Sequence, residues 1–167
     1  MTVSALLVQL LNGLAGASSL FLVSAGLSLI FGVTRIVNFA HGSLMMLGAY
    51  GGYSLIARFG VTPADYWGAV ALATLLVAAL GALLESLLLR RLYGTPELLQ
   101  LLATFGIVLI VQDATLAAWG AEDLLGPRAP GLSGTVQILS SAVPAYDLLL
   151  IAVGPLVLLG LWWLLSH

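Results

Sequence analysis

Arg35-Ile36-Val37-Asn38-Phe39-Ala40-His41-Gly42-Ser43 sets a cation, an amide, an imidazole and a hydroxyl between two apolar runs, Ala5 to Phe31 before it and Leu44 to Ile56 after it. The polar cluster is therefore pinned between two membrane segments. The rest of the chain has the same solvent in view. Of its 167 residues 61% are hydrophobic and 7% charged, and the mean hydropathy is +1.14, whereas a soluble domain has roughly a quarter of its residues charged. The composition predicts an all-α, polytopic integral membrane protein. All five basic residues are arginines, so a GxxxxGK[ST] phosphate loop is excluded. Without cysteine there is no disulfide or thiolate metal site, and a net charge of -2 offers no surface for nucleic acid. No metal or cofactor is expected. Because no Lys or Arg precedes the first apolar run, that run reads as a retained span rather than a cleaved signal.

Taken in order, the chain gives five spans. Met1 to Thr34 is uncharged and long enough for one helix, with Gly13 and Gly16 as small residues for close helix packing. The run from Ser43 to Ala57 reaches only about 22 Å at roughly 1.5 Å per residue, so the second span is expected to be short or broken. Short, glycine-interrupted segments point to transport sites. Gly48 and Gly52, four apart, form a small-residue face on it. After a tight connection from Gly60 to Asp65, a third span runs from Tyr66 to Leu84 and continues through Glu85 to Arg90 and Arg91. A carboxylate there is a functional candidate, or it snorkels toward the interface beside the arginines. Tyr93 to Glu97 reads as a turn before a fourth helix, Leu98 to Ala118, which carries Thr104. Residues 119–144 read as an extracytoplasmic loop with a short strand over Thr135 to Leu139, and Leu148 to Leu165 is the last span. Placing Arg35, Arg90 and Arg91 in the cytoplasm puts the N-terminus and that loop outside.

Asn38-Phe39-Ala40-His41-Gly42, followed by Met45-Met46-Leu47-Gly48-Ala49-Tyr50, resembles the first half of the permease subunits of branched-chain amino acid ABC importers. Arg90 to Gly94, Leu102 to Ile107, Gly131 to Gln137 and Pro144 to Tyr146 continue the resemblance in the family's order. It implies a second permease subunit, cytoplasmic ATPase subunits and a periplasmic substrate-binding protein as partners, and an inner-membrane location. It also implies that this chain is an N-terminal portion ending before the family's cytoplasmic coupling loop.

A helix starting near His41 leaves free N–H groups and a partial positive charge that can receive a carboxylate. On that reading Asn38, His41, Gly42 and Ser43 line the pathway of an amino-acid zwitterion, Phe39 and Met45 or Met46 offer apolar contact, and Thr104 faces the same route. The other reading has Asn38 and Ser43 capping a helix and His41 satisfying a backbone carbonyl. Three other functions stay open: a urea or short-amide ABC permease, an ion-coupled transporter using Glu85, and a non-transporting membrane subunit. No catalytic site is expected, since His41 and His167 stand apart and no nucleophile has a base beside it.

Overall fold

The computed structural model describes residues 3–35, 38–59, 62–138 and 141–166. Helix α1 (Val3–Thr34) is followed by α2 (Ala40–Phe59) and α3 (Pro63–Leu84), which runs on through a π-helical segment (Glu85–Leu89) into the short α4 (Arg90–Leu92). Then come α5 (Glu97–Trp119), the strands β1 (Thr135–Ile138) and β2 (Ser141–Pro144), and α6 (Ala145–Ser166). Stretches Ala5–Val33, Pro63–Leu92, Glu97–Trp119 and Ala145–Ser166 are long and apolar enough to cross a membrane. Helices in hydrocarbon satisfy every backbone group internally, which is why the spans are helical. Their surfaces fit that solvent: Leu10, Leu20, Leu75, Ile110 and Leu156 are all exposed, on helices apolar all round.

The second helix differs from its expected form. It has 20 residues and extends beyond the apolar run at both ends, which at about 1.5 Å per residue makes roughly 30 Å. It is less apolar than the four spans, and its lead-in is a capped helix start.

The chain divides into two compact units. In the first (residues 1–28 and 128–167), Ala15 and Ser18 of α1 are buried. A side chain at Gly154 of α6 would place its Cβ 2.9 Å from Ser18 Oγ and 3.1 Å from Ser18 Cβ. The glycine makes room for the Ser18 side chain. The strands pair antiparallel, Val136 opposite Val143 and Gln137 opposite Ala142, with Val143 fully buried. The expected strand is present as far as Ile138, and Leu139 lies outside the described residues.

In the second unit (residues 29–127), α2 lies antiparallel against α3. Leu44 Cδ1 faces Gly81 at 3.8 Å from where its Cβ would stand, and the corresponding distances are 3.7 Å from Gly48 to Val77 and 3.7 Å from Gly52 to Ala73. Each step of four along α2 is thus matched by a step of four back along α3, one turn against one turn. Thr62 opens α3: its Oγ1 accepts from the Asp65 N–H at 3.2 Å, with Pro63 in the first turn. At the far end of α2, Trp119 Nε1 donates to Ser54 Oγ at 2.7 Å and the Trp119 ring lies 5.5 Å from that of Tyr50, tying α5 to α2.

Candidate functional site

Helix α1 ends where Arg35 takes a left-handed conformation (φ 57°) and its N–H donates to Phe31 O at 2.8 Å, a common way to close a helix. Ile36 and Val37 lie outside the described residues. Asn38 then starts α2. Its Oδ1 accepts from the Ala40 N–H at 3.0 Å and its backbone carbonyl from the His41 N–H at 3.2 Å. Ala40 is almost wholly buried in a cluster with Leu89, Ile107 and Val111, so the start of α2 is anchored on the π-helical segment and on α5.

The seven residues expected along a pathway fall into different surroundings. Asn38, Ser43 and Thr104 are buried, His41 is half-buried, and Phe39, Gly42 and Met45 are exposed. The Thr104 hydroxyl donates to its own helix, to Gln100 O at 3.0 Å and Leu101 O at 3.1 Å. One turn earlier, Gln100 Nε2 reaches back to Leu92 O (3.1 Å) and Thr95 O (3.0 Å), bracing the turn before α5. Of the expected helix-packing glycines, Gly48 and Gly52 face α3 as described above, while a Cβ at Gly13 or Gly16 meets no atom within 4 Å. Gly13 instead borders an open trough of about 770 Å³ with Gln9 and Asn12.

Asn38 alone among the seven lines a cavity of about 490 Å³ whose walls include Val33, Leu44, Leu89, Glu85 and Tyr93. Glu85 sits at the first position of the π-helical segment, a distortion frequent at functional sites. Its carboxylate accepts a hydrogen bond from the Tyr93 hydroxyl. The Tyr93 hydroxyl is pushed up to about 12, by desolvation first and then by the bond to Glu85, so it remains a donor. A carboxylate at the centre of a span costs about 2.5–3.5 kcal/mol on insertion scales; Glu85 lies toward the C-terminal end of its span. Sequence reasoning had singled out Glu85 but gave it no partner; Tyr93 stood only as part of a turn. The eight-residue separation of the two hides their pairing, because it is not a regular helical spacing.

A second cavity, about 650 Å³, lies along Tyr50, Tyr53, Tyr66 and Asp123. Among the described residues no group of three or more His, Cys, Asp or Glu gathers to hold a metal ion.

The family described as the permease component of branched-chain amino acid transport systems matches residues 9–167. The chain belongs to this family. The chain is 27% identical to the high-affinity branched-chain amino acid transport system permease protein BraD of Pseudomonas aeruginosa over 169 residues, covering 96% of this chain and 55% of BraD. It is also 27% identical to the corresponding permease protein LivH of Escherichia coli and of Salmonella typhimurium, each over 126 residues, covering 72% of this chain and 41% of LivH. The chain spans about half the length of the curated relatives it matches. No solved structure matches it. As a permease component, it is a multi-pass membrane protein in which the polar motif of α2 and the Glu85 cavity belong to one packed unit.

Proposed function

We propose that this chain is part of the permease of an ABC importer that carries branched-chain amino acids across the inner membrane. The family match over residues 9–167, on a chain built of membrane-length apolar helices, carries this reading. On it, a periplasmic protein delivers the substrate, a second permease subunit completes the pathway, and separate cytoplasmic subunits hydrolyse ATP, so this chain is itself no enzyme.

Helix α2 lies antiparallel along α3 over two turns, which supports a fifth crossing. Alternation then puts Arg35, Arg90 and Arg91 on the cytoplasmic side and residues 119–144 with the N-terminus on the periplasmic side. The pathway runs past the start of α2, by Asn38, Phe39, His41, Gly42, Ser43 and Met45, with Thr104 of α5 beside it. Asn38 serves it by fixing the helix start, where the partial positive charge favours a carboxylate.

The test is uptake and ATP hydrolysis by the full-length permease reconstituted with its partners. Leucine is expected to stimulate both and urea neither. Stimulation by urea alone would move the cargo to short amides, and a complex that moves no solute would make the chain a structural subunit. His41→Ala is expected to slow uptake without lowering expression; lowered expression with normal uptake per molecule would remove His41 from the pathway.

A further inference from the structure

The Glu85 carboxylate stands in an apolar span with one donor to satisfy it. Among the described residues it forms no ion pair, although Arg90 and Arg91 follow within two turns, and its single hydrogen bond comes from Tyr93. A carboxylate offers about four acceptor positions. Intramembrane ionisable groups are otherwise paired or face a cavity that serves ions or substrate. This one lines a cavity of about 490 Å³, within the roughly 300–1,000 Å³ of small-molecule sites. The remaining wall is mainly aliphatic: Leu29, Val33 and Leu44 beside Leu89, with Asn38 as a further polar group. Such a lining suits a small cation with an aliphatic body.

We propose that this cavity is a substrate-binding site in which Glu85 receives the ammonium group of an amino acid while Leu29, Val33, Leu44 and Leu89 receive its aliphatic side chain. The inference rests on the importer reading above and gives that importer a specific contact. Tyr93 is a positioning residue: its hydroxyl holds one carboxylate oxygen and leaves the other to the ligand. The π-helical segment swells the helix at the point where the carboxylate must face the cavity. Gly81 and Ala82, one turn before Glu85 on the same helix, keep that part of the wall low, so the space beside Glu85 remains open. Primary ammonium groups occur both on amino acids and on phosphatidylethanolamine headgroups, and the experiment must tell these apart.

Uptake of leucine and alanine by the full-length transporter complex in pure phosphatidylcholine vesicles, which contain no primary ammonium, provides the test. Glu85→Gln is expected to lower leucine uptake at least tenfold at low substrate, mainly through KM, and Glu85→Asp to recover part of it. Ala82→Leu, which narrows the cavity and leaves the charge in place, is expected to lower uptake of leucine several-fold more than that of alanine. If Glu85→Gln fails to fold, Ala82→Leu still decides the matter: equal effects on both substrates, or none, overturn the site. Glu85→Gln within twofold of wild type overturns it as well. So does a wild-type complex active only when phosphatidylethanolamine is present, which would give the cavity to a headgroup. Failure of the importer reading would be seen earlier, in a wild-type complex that imports neither amino acid.

Discussion

The seam between α2 and α3 and the contact between α1 and α6 both bring helices together over glycine, yet they tolerate a methyl group very differently. At Gly48 and Gly52 an added Cβ would rest at ordinary contact distance, 3.7 Å, from Val77 and Ala73. At Gly154 it would stand 2.9 Å from Ser18 Oγ and 3.1 Å from Ser18 Cβ. The first seam is built from complementary large and small residues, one turn against one turn, and has a little slack. The second is a single point at which a side-chain atom fits only if Ser18 gives way. Small residues drive helix association in membranes through such close approach, but their spacing in one helix does not say how near the partner comes.

Gly154→Ala breaks the tighter contact and is expected to have the largest effect, about 1–3 kcal/mol of destabilisation, as overpacking commonly costs. Thermal unfolding in detergent measures it. Adding Ser18→Gly to Gly154→Ala should restore most of the loss, because the two positions share one contact and their effects do not add; a double variant as unstable as the single one would place the clash elsewhere. Next in size is Asn38→Ala. It removes the oxygen that caps α2 and is expected to cost about 1 kcal/mol, read in the same melt. The smallest effect is assigned to Gly52→Ala, where the new methyl fits and helix propensity improves by up to about 1 kcal/mol. That variant should melt at or slightly above the wild-type temperature, and a clear fall would mean the seam has no slack.

Much of this architecture was legible in the chain. The apolar runs marked α1, α3, α5 and α6, since hydrocarbon admits few polar residues. The strand at residues 135–138 was legible from its composition, and the turn before α5 from its Gly and Pro. Helix α2 was underestimated because hydropathy stops counting where His41 and Arg58 begin, whereas backbone hydrogen bonding does not: Asn38 supplies the cap that starts the helix earlier. Pairings between distant residues left no sequence signal. Trp119 and Ser54 are 65 positions apart, and Gly154 looks like any other glycine until Ser18 is set against it. Glu85 was conspicuous as a charge, but its cavity comes from three separate stretches of chain, residues 29–33, 38–44 and 81–93.

The π-helical segment also acts as a phase shifter. In a regular helix of 3.6 residues per turn, Tyr93 would stand roughly 80° round the axis from Glu85. One widened turn that takes up an extra residue brings it back to within roughly 20°, two turns further on and on the same side, where its hydroxyl meets the carboxylate. The pairing is therefore encoded by a count as well as by residue type. Deleting Leu87 would leave Tyr93 seven positions from Glu85 and, in a regular helix, still within roughly 20° of it, so the contact is expected to survive the loss of the widened turn, whereas deleting both Leu87 and Leu88 would turn Tyr93 roughly 120° away and undo the contact without touching either partner.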